Sequence, residues 1–487
     1  MLAPNGATAE LYRHRSDLSC SKGGNLDGLQ QGHALIPANM RAKPQVGVRL
    51  VPYRECIVNA SWLYASALKA PGSMDRVRPL EKTLALIPAL RERFRITRLG
   101  DTTHLDRIGI PTMCAVVPNS LDLISVYNGK GPTLQHATCS AVMEAVERQC
   151  ATSTSLPITR CRPADLDDSL DFQAMGMLDE AYERDVEFVD GLDLITGLVV
   201  KVPLAAVISP WSGTRTFRMT STNGLASGNT LLEATYHALF EYVERHGWAI
   251  AHTRAYVRPR LLLEGIARAS GQTFDPEAMI DDPAVTEVRF PTGDQSLDSM
   301  ALKIREAALT LRLTILDEPP LPIVMMATIN EDHATPVMSH FGLAASWSPV
   351  LAATRAITEA AQTRSVDIQG AREDLLRVGD GSPVFALHAR RRAQAPHGRW
   401  YYDAPLPTAE FSTLLDRSDP CLAKELRQLV SALRELGVRH IVVVDLSPDD
   451  LPISVVRVLV PDLEHSLVDG QIGPTLRKIL ETYPARP

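Results

Sequence analysis

The sequence predicts an α/β (α+β) fold in which repeated loop–helix units converge on one polar site. Three observations carry that reading. Short apolar runs rich in β-branched residues alternate with helical stretches along the chain. Three of the helices each follow a glycine-containing loop. Those three also carry polar residues at one common spacing, i, i+4 and i+7, which is the mark of an internal repeat.

The chain has 487 residues, enough for a sizeable core or about three domains. Its net charge of −7 is evenly mixed, with no basic stripe, which argues against nucleic acid or an anionic membrane as the main partner. The seven cysteines are odd in number and form no C-x-x-C pair, which argues against a disulfide framework or a zinc ribbon. The first residues lack an apolar signal core and no run of about 18 apolar residues occurs, so a soluble, cytoplasmic protein is expected.

Taken in order, residues 1–45 are polar and aperiodic and read as a flexible extension. Residues 46–115 form an accessory region with helices expected near Ala60–Leu68 and Leu80–Phe94. Residues 116–465 form the main domain, which holds the repeats, and 466–487 is a tail ending in the extended Tyr483–Pro487. Ile110–Val117 and Leu121–Tyr127 look like strands separated by the turn Pro118-Asn119-Ser120. A loop, Tyr127–Pro132, then leads to a helix over Thr133–Cys150. Glu187–Val207 reads as a hairpin turning at Thr196-Gly197, and Pro210–Gly213 as a loop. Thr314–Asp317 and Ile323–Ile329 read as buried strands. Ser348-Pro349 caps a helix running to about Ile368. A helix over Lys424–Leu436, closed by Gly437, leads into strands His440–Val444 and Ser454–Val460.

The most informative stretch is Ser221–Trp248. After Thr230, Leu232, Tyr236, Leu239 and Val243 make one apolar helical face. At about 100° per residue, Glu233, His237, Glu241 and Glu244 fall on a second face, spread over roughly 80° of the circumference. Carboxylates so placed destabilise a helix unless a cation meets them. There are plainer readings: Thr230 and Glu233 fit a capping box, and Glu244-Arg245 could be a solvated pair.

The same pattern recurs. Ser140, Glu144 and Glu147 stand at i, i+4, i+7 on the first helix, His237, Glu241 and Glu244 on the second, and Arg355, Glu359 and Gln362 on the third. The preceding loops are Asn128–Gly131, Asn223–Gly228 and Phe341–Ser346, and the first two helices share the string E-x-V-E-R. If these faces converge, the carboxylates suit a hard cation such as Mg²⁺. Lys130, Arg245 and Arg355 would offset phosphate charge. The spacing therefore points to a metal-bound nucleoside triphosphate; the competing reading is solvated polar faces on a purely architectural repeat. Neither a Walker A sequence nor a dinucleotide G-x-G-x-x-G is present, so the site is of another type.

The strings YNGKGPTLQHATCSAVMEAVER, TNGLASGNTLLEATYHALFEYVER, ATRAITEAAQTRSVDIQGARED and VVRVLVPDLE closely resemble the YcaO family, from about Tyr127 to Glu464. YcaO proteins use Mg-ATP to phosphorylate a backbone amide oxygen of a peptide or protein; a nucleophile then adds at the carbonyl carbon and phosphate leaves. The resemblance implies that Glu144, Glu233, Glu241 and Glu244 hold Mg²⁺. It places Ser140, Glu147, Asn229, Arg245, Arg355 and Glu359 around the nucleotide, with Lys130 joining them, and Glu241, Glu244, Arg245 and Arg355 as the catalytic set. It also implies 116–465 as the catalytic domain, a homodimer, and a precursor peptide or protein as substrate.

Azoline-forming members add a Cys, Ser or Thr side chain and commonly end in P-x-P-x-P, whereas this sequence ends Pro484-Ala-Arg-Pro487. The chain looks closer to members that work beside a TfuA protein and install a thioamide from a sulfide source. A partner that delivers sulfide or presents the peptide is therefore expected. The alternatives are an azoline-forming cyclodehydratase, a non-catalytic nucleotide-binding protein and a metal-dependent hydrolase.

Overall fold

The computed structural model describes residues 61–166, 170–217, 221–271, 284–317, 320–331, 339–370, 405–464 and 472–481. The extension expected at 1–45 and the end Tyr483–Pro487 lie outside these. Three sheets organise the described chain. The first is an antiparallel trio: β1 (Arg98–Asp101), β2 (Thr112–Val116) and β3 (Val126–Lys130). The second contains β4 (Thr159–Cys161), β5 (Val186–Asp193), β6 (Val199–Pro203) and β7 (Leu225–Gly228), completed by the later β13 (Val442–Asp445) and β14 (Ser454–Leu459). The third contains β8 (Thr286–Val288), β9 (Leu309–Asp317), β10 (Ile323–Glu331), β11 (Ser339–Ser346) and β12 (Thr408–Ala409). Within the second sheet the expected hairpin is β5–β6, and Gly197 at its turn has φ +72°.

Ten helices run between them among the described residues: α1 (Leu80–Leu84), α2 (Ile87–Arg93), α3 (Leu134–Cys150), α4 (Leu204–Val207), α5 (Leu231–His252), α6 (Arg258–Ser270), α7 (Gln295–Glu306), α8 (Pro349–Gly370), α9 (Leu422–Glu435) and α10 (Pro474–Glu481). A short π-turn, Thr253–Val257, joins α5 to α6. The apolar face expected on α5 is the buried one, with Leu232, Tyr236, Leu239 and Val243 all packed in the core. Burying each is worth about 1.5–3 kcal/mol, which fixes the rotation of the helix and so aims its acidic face.

Several local expectations give way to tertiary packing. Of the helix expected over Ala60–Leu68, the described residues, from 61 on, hold a single turn at Ser61–Tyr64, past which the backbone extends to pair with the start of α9, through Leu422 N to Ala67 O and Lys69 N to Pro420 O. Leu121–Tyr127 is a loop up to Ser125, because Arg148 grips both Asp122 oxygens at 2.8 Å. Part of the segment assigned to a tail is helix α10, anchored by the buried Glu464 carboxylate accepting from Gly473, Thr475 and Leu476 N–H. The division expected at 115/116 falls inside β2.

The glycine loops before the three helices also turn out differently, since each holds a strand: β3, β7 or β11. The glycines are there because helix and strand pack backbone to backbone. A Cβ on Gly129 would lie 2.1 Å from Ala141 N, one on Gly228 2.6 Å from Ala234 N, and one on Gly342 2.3 Å from Ala356 O. Each repeat is therefore a glycine strand pressed on an alanine-bearing helix.

The repeats close on one another in a ring. Helix α3 packs on its own β3 and reaches β7, α5 packs on β7 and reaches β11, and α8 packs on β11 and reaches β3. At each reach the i+7 side chain bonds the next strand's backbone. Glu147 accepts from Ser227 N at 2.9 Å, Glu244 accepts from Ala345 N at 2.9 Å, and Gln362 donates to Asn128 O at 2.7 Å.

Candidate active site

The ring encloses a cavity of about 710 Å³, and all eleven site residues expected from the sequence line it. Strand β3 contributes Lys130. Helix α3 brings Ser140, Glu144 and Glu147. Asn229 sits between β7 and α5, which brings Glu233, Glu241, Glu244 and Arg245. Helix α8 brings Arg355 and Glu359, and His237 and Gln362 complete the polar strips. Convergence of the three faces is thus a property of the fold.

Charge is unevenly distributed over the walls. On the α3 and α5 side, burial pushes Glu144 up to about 7, although Lys130 and Arg148 oppose it. Burial and the neighbouring Glu359 push Glu244 up to about 8. Glu147 is raised well above the usual carboxylate range by burial and by Glu144 and Glu241, and Glu241 is raised by burial against the pull of Arg245. Each of the four is wrapped by protein yet open to the cavity, and the protein supplies too few cations to ionise them all. On the α8 side the balance reverses. Burial alone would raise Glu359, but Lys130, with which it pairs directly, and Arg245 hold it below its ordinary value. His237 is driven well below the usual imidazole value by burial and by Arg76 and Arg355, so it is neutral at pH 7.

Glu233 is in a different situation. Its carboxylate is fully buried and accepts from Arg76 Nη1 at 3.0 Å, Val77 N at 3.0 Å, Asn229 N at 3.1 Å and Asn229 Nδ2 at 2.9 Å. Thr230 does cap α5, accepting from Glu233 N at 3.2 Å, but the reciprocal bond of the capping box goes to Asn229 N. These donors fill the lone-pair directions of the carboxylate, so contact with a metal would require some of them to leave. Asn229 is likewise engaged, its Oδ1 accepting from Thr83 Oγ1 at 2.8 Å.

The sequence reading missed one wall. Ser73, Met74, Arg76, Arg78, Leu80 and Thr83, all from the region read as accessory, line the cavity. Arg76 holds Glu233, and Met74 O accepts from Arg355 Nη2 at 2.7 Å. The only local hint was two arginines in a Pro-Gly-Ser turn.

The donor set suits a hard cation, since the residues expected to hold the metal offer only carboxylate oxygens. Among the described residues no three His, Cys, Asp or Glu side chains are grouped closely enough to hold a metal ion by themselves. An open carboxylate site of this kind is how Mg²⁺ is commonly held, with phosphate oxygens and water completing its six positions. The residues present therefore fit a Mg²⁺–nucleotide.

Fold and site together define a class: a repeat-built α/β protein with a bipolar pocket, acidic on two helices and compensated on the third. Residues 128–464 match the family model described as YcaO cyclodehydratase, ATP- and Mg²⁺-binding. The chain belongs to the YcaO family. An uncharacterised protein of Methanothermobacter thermautotrophicus is 30% identical over 412 residues, covering 82% of this chain and 98% of its own. A Rhizobium leguminosarum protein, described as uncharacterised and in the tfuA 3′ region, is 34% identical over 411 residues, covering 81% of this chain and 89% of its own. Among solved structures, YcaO from Methanopyrus kandleri bound with AMPPCP and Mg²⁺ has the same fold, with a TM-score of 0.58 at 24% identity, covering 82% of this chain and 95% of that one. A heterocyclase in complex with substrate and cofactor aligns with a TM-score of 0.64 at 19% identity, covering 82% of this chain and 54% of that one. No helix among the described residues is long and apolar enough to cross a membrane.

Proposed function

We propose that this YcaO enzyme uses Mg-ATP to phosphorylate a backbone amide oxygen of a peptide and that a sulfide equivalent then adds at the carbonyl carbon, phosphate leaving with that oxygen, to give a thioamide with the help of a TfuA-type partner. The single observation that carries the first half is the cavity itself, which four carboxylates with raised pKa share with the cations Lys130, Arg245 and Arg355. The second half is supported by the relative in the tfuA 3′ region. Bound Mg²⁺ and ATP supply the phosphoryl group and the charge neutralisation that make a poor electrophile reactive.

In this reading Glu144, Glu241 and Glu244 hold Mg²⁺, and Glu233 joins them by releasing donors from its filled shell. Lys130, Arg245 and Arg355 bind phosphate oxygens, Arg with a bidentate fork and Lys as a point charge. Ser140, Glu147, Asn229 and Glu359 line the nucleotide, and Glu147 and Glu244 keep their geometry through the backbone N–H each accepts. Preorganised charges of this kind stabilise the transition state without reorganising at the moment of reaction.

Cyclodehydration is the second reading, supported by the likeness to heterocyclase structures. Co-expression with a precursor peptide and the partner separates the two by mass: exchange of one oxygen for sulfur supports thioamidation, loss of one water supports azoline formation, and an unmodified peptide counts against both. The reading includes a homodimer, which light scattering of the purified chain tests.

A further inference from the structure

Arg355 is held both from the cavity wall and from behind it. Its Nη2 donates to Met74 O at 2.7 Å and its Nη1 lies 3.9 Å from Asp75 Oδ2. Asp75 is in turn tied to Lys69, whose Nζ stands 2.6 Å from Asp75 Oδ1 and 2.6 Å from Glu425 Oε1. Glu425 lies on α9, is fully buried, and also accepts from Tyr236 OH at 2.8 Å and Asp419 N at 2.7 Å. Tyr236, on α5 beside the acidic strip, reaches Asp75 Oδ2 at 3.4 Å. Two carboxylates and two cations thus alternate along one chain of contacts, Glu425–Lys69–Asp75–Arg355, sunk between α5, α8 and α9.

The backbone at its centre is strained. Met74 and Asp75 have φ of +55° and +65°, in the left-handed region that non-glycine residues rarely adopt, and such conformations persist only where their surroundings over-determine them. Both residues spend that conformation on Arg355, one through its carbonyl and one through its carboxylate. A buried ion pair is a poor stabiliser because desolvation offsets its attraction, so a network of this kind is better explained by what it orients.

Resting on the nucleotide reading of the cavity, we infer that Asp75, Lys69, Glu425 and Tyr236 are positioning residues that fix the Arg355 guanidinium for nucleotide phosphates. Glu425 acts at a distance: it orients Lys69, Lys69 orients Asp75, and Asp75 with Met74 O sets the fork of Arg355. Within this network only Arg355 need touch the nucleotide.

The test is calorimetric titration of the purified full chain with AMPPCP and Mg²⁺, which needs neither peptide nor partner. Asp75→Asn should weaken binding about 10-fold and Glu425→Gln about 3–10-fold, the range of a lost charge-assisted contact. Tyr236→Phe, a milder change suited to the case where the buried charge variants fold poorly, should weaken it about 3-fold. Leu429→Ala, a core truncation on the same face of α9, should lower the melting temperature and leave affinity within about 2-fold, separating positioning from stability. In an Arg355→Ala background Asp75→Asn should add nothing, since its effect runs through Arg355. Wild-type-like affinity in folded Asp75→Asn and Tyr236→Phe, or full additivity with Arg355→Ala, would overturn the inference. Absence of any Mg-nucleotide binding by the wild-type chain would instead overturn the nucleotide reading.

Discussion

Helices α3 and α5 differ from α8 in a way that assigns the two sides of the cavity. All three are built alike: a glycine strand, an alanine-bearing helix, and an i+7 side chain bonded to the next strand. At i+4 and i+7 the first two carry only glutamates, and all four are pushed toward protonation. Helix α8 carries Arg355, Glu359 and Gln362, and its one glutamate is pulled the other way by Lys130 and Arg245. On the proposed function a common scaffold therefore holds a cation-seeking face on α3 and α5 and an anion-seeking one on α8. The ring is structural; the chemistry comes from breaking its symmetry.

The largest effect should come from removing the cation-seeking face. Glu241→Ala with Glu244→Ala should lower ATP turnover by about 100-fold or more, the loss expected when transition-state charge goes unneutralised. Turnover within tenfold of wild type would dissolve the distinction between the two faces. On the other face, Arg355→Lys keeps the charge and loses the bidentate fork. Nucleotide affinity should drop about 10-fold, with the Mg²⁺ requirement unchanged. A changed Mg²⁺ requirement would mean that the faces are not separate.

A smaller effect tests the ring. Gln362 donates to Asn128 O, and an ionised glutamate cannot. Gln362→Glu, which makes α8 resemble its two sisters, should destabilise the chain by about 1–3 kcal/mol near neutral pH, read by denaturant unfolding. No change would show that the third latch is idle.

The smallest effect is the pH dependence of the ligand-free protein. Glu144 and Glu244 have folded-state values raised to about 7 and about 8. The folded chain holds these protons more tightly than the unfolded chain, so their stabilising contribution is complete below the unfolded value and is lost as pH rises through 7 and 8. The melting temperature without nucleotide should therefore fall across that window, and Mg-AMPPCP should flatten the slope by neutralising the ionised forms. A melting temperature that rises from pH 6 to 9 would reverse the sign and contradict the burial argument.

Local periodicity was enough to find α3, α5, α8 and α9 and the polar strips of the first three, because helical spacing alone puts Glu241 and Glu244, or Glu144 and Glu147, on one side; Asn229 was reached only through the family resemblance, and α6, α7 and α10 carried no motif that spacing could read. The order of the repeats was legible for the same reason. The strands before them were not, since Asn128, Gly129 and Gly131 carry turn chemistry locally, and only contact with Ala137 and Ala141 reveals why a strand needs glycine there. The Lys69–Val77 segment was missed because its partners are remote: Arg76 meets Glu233 across 157 positions. The engaged state of Glu233 was hidden with it, as no local rule says that a capping glutamate will be claimed by an arginine from another region.

The central claim is that the α3–α5 face binds a metal that the nucleotide requires. Its most direct test is titration of the wild-type chain and of Glu241→Gln with Glu244→Gln with AMPPCP, with and without Mg²⁺. The account predicts that wild type binds only when Mg²⁺ is present and that the double variant binds weakly whether or not it is added. Equal, Mg²⁺-independent binding by both proteins would contradict it.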